Sequence, residues 1–81
     1  MMYVLIPRAA RAWTDLRIFN TYAAAEQVAL RTARILQSER KSPDWCEIVA
    51  YEGIDELHPT FVFTLVGAQR LHREEWPTPS S

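Results

Sequence analysis

Polar and apolar positions alternate in short runs on both sides of one long stretch that has helical spacing. Residues 2–6 (MYVLI) are rich in β-forming side chains, and Pro7 after them marks a strand end because proline cannot donate to a β-ladder. Residues 15–19 (DLRIF) alternate apolar and polar side chains, which is the period of a half-buried strand. The pattern therefore predicts two strands, joined by a loose hairpin connection, before the long stretch.

The long stretch, residues 22–40 (YAAAEQVALRTARILQSER), contains neither Gly nor Pro and predicts a helix. Asn20 or Thr21 can cap its N-terminus, and Pro43 disfavours helical dihedrals in the residue that precedes it. Leu30 falls on the polar face of this helix. At about 100° per residue, the apolar stripe expected to face a sheet consists of Ala25, Val28, Ala29, Thr32, Ile35 and Leu36.

Three further strands are predicted after the helix. Residues 45–52 (WCEIVAYE) alternate, residues 60–66 (TFVFTLV) are the most strand-like stretch of the chain, and residues 69–76 follow a bulge or turn at Gly67. The resulting order is ββαβββ. It predicts an α+β fold in which a single helix packs on a mainly antiparallel sheet, and a β-grasp-like arrangement is compatible with this order.

The length of 81 residues allows one hydrophobic core, because a second would need roughly 50 residues of its own. We expect a single α+β domain over residues 1–76 and a flexible tail over residues 77–81. Cys46 is the one cysteine, so an intramolecular disulfide is excluded and a cytoplasmic location is the default. The longest uncharged stretch, residues 59–69, is much shorter than the roughly 18 residues of a membrane-spanning helix, so no membrane association is expected.

Few residues suit catalysis or cofactor binding. The two glycines of the chain exclude a glycine-rich phosphate loop. Cys46, His58 and His72 are spaced by 12 and 14 residues, without the close pairs of a zinc site. Cys46 is predicted to be a small core residue and not a nucleophile, because the neighbouring Asp44 and Glu47 disfavour a thiolate. We therefore expect a non-enzymatic protein with no cofactor and no bound metal.

Charge is unevenly distributed although the net charge is −1. Residues 44–60 carry five acidic and no basic side chains, whereas residues 26–43 carry four basic and two acidic ones. This segregation favours a binding role in which electrostatics selects the partner. The candidates for electrostatic contact with a partner are Arg31, Arg34, Glu52, Asp55 and Glu56.

Two phenylalanines, Phe61 and Phe63, have the two-residue spacing of a base-stacking platform on a sheet. The glycine and basic residues that flank such platforms are missing here. A contribution to the core is therefore favoured for both rings.

The stronger functional signal is a set of large apolar side chains that the predicted fold leaves uncovered. Strand alternation sends Trp45, Val49 and Tyr51 to the face opposite Ile48. If the helix covers the Ile48 side, these side chains are exposed and mark an interface, unless strand order or loops cover them. The candidates for a protein interface are Leu30, Trp45, Val49, Tyr51 and Trp76.

These features favour a small protein-interaction module that forms a homodimer and binds another protein. Residues 19–26 (FNTYAAAE) and 45–53 (WCEIVAYEG) resemble small accessory proteins of phages and mobile elements, which implies regulation or inhibition of a macromolecular partner. A nucleic-acid-binding accessory protein that uses the arginine face is one alternative, which the near-neutral net charge disfavours. A small ligand-binding protein or enzyme is another, and it requires His58, His72 and a carboxylate to meet in one pocket.

Overall fold

A computed structural model of the chain describes residues 1–9, 15–53 and 58–76. These residues form five strands and one α-helix, α1, which spans Tyr22–Ser38 between the second and third strands. The predicted α+β class and the order ββαβββ are confirmed, whereas the tail predicted over residues 77–81 lies outside the described residues. The strands are β1 (Met2–Pro7), β2 (Arg17–Phe19), β3 (Cys46–Tyr51), β4 (Phe61–Val66) and β5 (Arg70–Glu75).

The strands form one sheet in the order β2-β1-β3-β4-β5, and neighbouring strands are antiparallel throughout. Strands β3, β4 and β5 are consecutive hairpins, whereas β1 lies between β2 and β3. Because β2 and β3 are both antiparallel to β1, they run parallel to each other, and α1 makes the long connection that parallel strands require. This crossover places α1 against one face of the sheet.

Hydrogen bonds define both ends of α1, one to a side chain at the N-terminus and two within the backbone at the C-terminus. The Oγ1 of Thr21 accepts the N–H of the residue three positions later at 3.3 Å, so Thr21 is the N-cap. At the C-terminus, Arg40 adopts a left-handed conformation with φ of 62°. Its N–H donates to the Gln37 carbonyl at 3.0 Å, and the N–H of Lys41 donates to the Leu36 carbonyl at 2.8 Å. This Schellman closure ends the helix before the proline that was expected to end it.

The core lies between α1 and the sheet. Ala25, Ala29 and Ala33 recur every four residues on one side of α1 and are fully buried. Their small side chains let the helix backbone lie close to the strands. Cys46 is also fully buried, as predicted for a small core residue. The other members of the core cluster are Leu5, Ile48, Ala50, Phe63, Leu65 and Ala68.

The buried stripe of α1 differs from the predicted stripe. Ile35 was expected to face the sheet but is 52% exposed, and Ala33 is buried instead. At 100° per residue this corresponds to a rotation of the helix by roughly 50°. Val28 and Leu30, on the two sides of the alanines, pack in part against the core. Three alanines facing the sheet allow the helix to lie closer to it than it could with Ile35 in that position. This closer contact accounts for the rotation.

The turn between β4 and β5 generates a stability prediction. Gly67 has φ of 59°, and a Cβ atom built there would have no neighbour within 4 Å, so the backbone alone requires glycine. We expect Gly67→Ala to lower the free energy of unfolding by about 1–2 kcal/mol, which is the cost of a side chain in the left-handed region. Urea unfolding followed by circular dichroism measures this change.

Gly53→Ala is the matched control. Gly53 has no positive φ and also has no neighbour within 4 Å of a Cβ atom. Its substitution should leave stability unchanged or raise it by up to about 1 kcal/mol, because alanine reduces the freedom of the unfolded chain. Equal losses of stability in both variants would contradict the assignment of the turn.

Candidate functional site

The two faces of the sheet differ in what covers them. The register pairs Leu5 with Ile48, and both belong to the core cluster under α1. Residues that alternate with these, beginning with the register pair Val4 and Val49, lie on the opposite face. No described helix covers that side of the sheet, and we call it the open face.

An apolar row crosses the open face. Successive register pairs join Ile18 to Val4, Val4 to Val49, and Val49 to Val62, so the row spans β2, β1, β3 and β4. Val4 and Val49 are only 8% and 3% exposed, yet neither belongs to the core cluster under α1. Ile18, at the β2 end of the row, is 64% exposed. The other apolar residues of the open face are Met2, Ile6, Tyr51 and Val66.

A charged strip lies along β5 on the same face. Arg70, His72 and Glu74 are all exposed and alternate with the β5 residues that face the other way. The His72 Nε2 atom lies 3.3 Å from Glu74 Oε1. The apolar row ends here, because Glu74 is the register partner of Val62. The apolar row therefore crosses β2, β1, β3 and β4, the polar residues Glu47 and Thr64 lie beside it on the same face, and the β5 margin is charged.

The predicted interface residues of β3 lie on two different sides of the molecule. Val49 and Tyr51 are on the open face, as the alternation predicts. Trp45 is not, and the expectation that it faces away from the helix is wrong. Its indole Nε1 donates to the Ala29 carbonyl of α1 at 2.9 Å, and its ring packs against the core. Trp45 precedes the first residue of β3, so the alternation does not extend to it, and a partly buried indole N–H needs an acceptor.

Leu30 and Trp76 are not part of the apolar row. Leu30 packs in part against the core and lines a shallow hollow of about 550 Å³ along α1. The backbone N–H of Trp76 donates to the Thr60 carbonyl at 3.0 Å, and the residue lines a hollow of about 390 Å³ with Phe61 and His58. The interface role of Leu30, Trp45 and Trp76 stays a prediction.

The charged candidates do not form one cluster. Arg31 and Arg34 are exposed on α1 and line the same hollow as Leu30. Neither arginine forms an ion pair within the part of the chain that the structure describes. Glu52 follows β3 and lines the hollow that contains Trp76. Asp55 and Glu56 lie outside the described residues.

An aromatic cluster lies beside the N-terminus of α1, on the helix side of the sheet. The ring centroids of Tyr22 and Phe63 are 4.8 Å apart, and that of Tyr3 is 5.9 Å from that of Tyr22. Phe63 is buried in the core, as predicted, whereas Phe61 is half-buried. The Arg73 guanidinium lies 4.9 Å from the centre of the Phe61 ring, so a base stacking on this face would have to displace it. The surrounding hollow measures about 470 Å³.

The buried ionisable groups are poorly suited to catalysis at neutral pH. Burial raises the pKa of the Cys46 thiol to about 12, Arg8 opposes this rise only in part, and the carboxylates of Asp44 and Glu47 add to it. Burial, together with a neighbouring carboxylate, also raises the pKa of Tyr22 to about 12. Both groups are therefore protonated and neutral at pH 7, and a protonated thiol is a weak nucleophile.

The histidines lie at separate places. His72 pairs with Glu74 on the open face, whereas His58 lines a hollow with Glu52 that does not include His72. Within the described ranges, no group of three or more His, Cys, Asp or Glu side chains is arranged to hold a metal ion. The structure therefore does not show the convergence of His58 and His72 that a small enzyme would require.

Sequence reasoning missed three residues of the apolar row, namely Val4, Ile18 and Val62. Alternation within each strand already assigns each of them to a face. Their alignment with Val49 depends on the order and register of four strands, which local sequence does not specify. The useful signal was the run of apolar residues in β1, where the residues on both faces are hydrophobic, as in a strand covered from both sides.

Comparison of the chain with protein-family models, curated protein sequences and solved structures gave no match. In the described part of the chain, no helix is both long enough and apolar enough to cross a membrane. The apolar row and the charged strip on β5 are therefore the features from which we infer a function.

The burial of the Cys46 thiol generates a prediction about its reactivity. We expect iodoacetamide to label Cys46 slowly in the folded protein at pH 8, and quickly in urea, where the thiol pKa returns to about 8.5. Mass spectrometry of the labelled chain measures both rates. Fast labelling of the folded protein at pH 8 would contradict the burial of Cys46.

The raised pKa of the Cys46 thiol also determines how the stability of the protein changes with pH. A folded-state pKa above the unfolded value means that folding favours the protonated thiol. The contribution of Cys46 is therefore complete below about pH 8.5, the unfolded pKa, and is lost as the pH rises toward 12. Tyr22 acts in the same direction at higher pH. Cys46→Ala should consequently show a smaller fall in stability between pH 8 and 11 than the unsubstituted protein.

Proposed function

We propose that this protein is a non-enzymatic protein-interaction module that binds through the open face of its sheet, with a second copy of itself as its first partner. The observation that supports this most strongly is the apolar row Ile18, Val4, Val49 and Val62 across four neighbouring strands. Exposed aliphatic residues beside charged ones, here Ile18 at 64% and Val66 at 39% exposure, are typical of a protein interface.

A second copy suits the shape and the chemistry of this surface. Two sheets with apolar inner faces pack about 10 Å apart in β-sandwiches, and their branched aliphatic side chains interdigitate. A two-fold axis would use the same patch on both copies, so no other complementary surface is required. The side chains of the open face are mostly valine, isoleucine and methionine, which suit such packing.

The extent of the face sets the expected strength of association. Three strands of six residues and one of three, at 4.8 Å between strands and 3.3 Å per residue, cover roughly 330 Å² per copy in projection, or roughly 670 Å² for a pair. Stable specific interfaces bury about 1,200–2,000 Å² in total, so this pair falls below that range and would associate only weakly. We therefore expect a dimer that forms reversibly and depends on protein concentration.

Regulation or inhibition of another macromolecule would use surfaces that the dimer leaves free. Arg31 and Arg34 are exposed on α1 and suit an acidic protein surface. Binding of nucleic acid has weaker support, because Arg8 is already paired with Asp44 at 3.0 Å and the net charge of the chain is −1.

Substitution of Ile18 tests the proposed binding surface. Ile18 is 64% exposed, so Ile18→Glu should leave the monomer folded while placing a charge within the interface. We expect the unsubstituted protein to gain mass with concentration in light scattering and Ile18→Glu to keep the mass of one chain. High salt should not dissociate the dimer, because salt screens charges and has little effect on an apolar interface.

Ile35→Glu is the matched control, because Ile35 is also an exposed isoleucine but lies on α1. This variant should associate like the unsubstituted protein. A single-chain mass for the unsubstituted protein at every concentration would overturn self-association. Loss of association in Ile35→Glu but not in Ile18→Glu would assign the interface to the helix instead.

A further inference from the structure

We infer that the aromatic hollow beside the N-terminus of α1 binds a planar aromatic carboxylate of one or two rings. The hollow lies on the helix side of the sheet, so this inference concerns a different surface from the open face and does not depend on self-association. The residues that line the hollow are Met1, Tyr3, Tyr22, Phe61, Phe63 and Arg73.

The register of the sheet brings these side chains together. Phe63 of β4 is the partner of Arg73 on β5. Phe61 lies in the same row of the sheet as Tyr3, two strands away. Tyr22 is the first residue of α1, and its ring packs against those of Tyr3 and Phe63. The hollow is thus bounded by β1, β4, β5 and the first turn of the helix.

Aromatic rings form the walls of the hollow. The ring centroids of Tyr22 and Phe63 are 4.8 Å apart, and that of Tyr3 lies 5.9 Å from Tyr22 and 6.4 Å from Phe63. Phe63 is buried, whereas Tyr3, Tyr22 and Phe61 are half-buried and keep part of each ring accessible. A flat aromatic ligand gains contact by packing against such rings. The volume of about 470 Å³ falls within the roughly 300–1,000 Å³ of small-molecule sites.

Arg73 supplies the positive charge of the hollow. It is the charged residue among the described residues that line the hollow, and its side chain forms no ion pair within the described part of the chain. The guanidinium lies 4.9 Å from the centre of the Phe61 ring. An arginine over a ring keeps the N–H donors in the plane of its guanidinium for a carboxylate, which it holds through two parallel hydrogen bonds. Arg73 can therefore bind the carboxylate while the ligand ring packs against the tyrosines.

The acidic side chains nearby belong to other hollows. Glu75 shares the helix side of β5 with Arg73 but lines the hollow that contains Trp76. Glu26 is a neighbour of Tyr22 but lines the hollow along the outer side of α1. The charge of the aromatic hollow therefore favours an anion. Its one guanidinium matches one carboxylate better than the several phosphates of a nucleic acid.

A titration of the full chain with 2-naphthoate tests the inference, with NMR spectra of the isotope-labelled protein to show where the ligand binds. We expect saturable shifts of the Tyr3, Tyr22 and Phe61 ring signals and of the Arg73 side-chain N–H signal. The dissociation constant should be about 1 mM or below for a ligand of this size. The neutral 2-naphthamide should bind roughly 10-fold more weakly, because it cannot form charge-assisted hydrogen bonds to Arg73.

Substitution of Arg73 separates the effect of the charge from that of the rings. Arg73→Gln should weaken the binding of 2-naphthoate by roughly 10-fold and leave the binding of 2-naphthamide nearly unchanged. Arg70→Gln is the matched control, because Arg70 is also an exposed arginine of β5 but lies on the open face. This variant should bind both ligands like the unsubstituted protein. An equal loss in both arginine variants would contradict the assigned role of Arg73.

Phe61→Leu tests the aromatic wall, because it removes a ring and keeps an apolar side chain. We expect it to weaken the binding of both ligands by roughly 5-fold. Equal affinity of the unsubstituted protein for the acid and the amide would overturn the carboxylate assignment and favour an uncharged aromatic group, such as a side chain of a partner protein. Shifts confined to the open face, or no saturable shifts, would overturn the site itself. None of these outcomes bears on self-association, which light scattering tests separately.

Discussion

One helix can bury only one face of a five-stranded sheet, and the rest of the structure depends on this constraint. Ala25, Ala29 and Ala33 bring α1 close to the sheet, and the core under the helix is built around that contact. Strand geometry sends alternate side chains to the other side. Because those side chains include Val4, Val49 and Val62, the face without a described helix is apolar as well. The apolar character of this face is thus a consequence of the fold, and within the row Ile18 is the residue that is largely exposed, at 64%.

Features of the fold that depend on neighbouring residues in the sequence were predicted correctly, whereas features that depend on distant residues were not. Helix and strand positions depend on neighbours within a few residues, and the predicted order ββαβββ was correct. The buried side of α1 depends on how closely the helix approaches the sheet, so Ile35 was assigned to the core in place of Ala33. The prediction for Trp45 named the wrong face of the sheet. Its indole N–H donates to the carbonyl of Ala29, a residue 16 positions away in the chain, and this contact sets the direction of the side chain. The apolar row required the strand order, which local patterns do not contain.

The chemistry of the described residues agrees with a binding role. The Cys46 thiol is buried, and burial raises its pKa to about 12. His72 pairs with a carboxylate at the rim of the open face. The Tyr3, Tyr22 and Phe63 rings pack against one another beside α1 and contribute to the core on the helix side. The open face carries Ile18, the most exposed large hydrophobic side chain of the described residues, and this is why we propose it as the surface for a partner.

The most direct measurement is an isotope-filtered nuclear Overhauser experiment on an equal mixture of carbon-13-labelled and unlabelled chains. It detects only contacts between different copies. The account predicts contacts between copies that involve the methyl groups of Ile18 and other exposed residues of the open face. Contacts between copies that involve Ile35 and other residues of α1, with none from the open face, would contradict it.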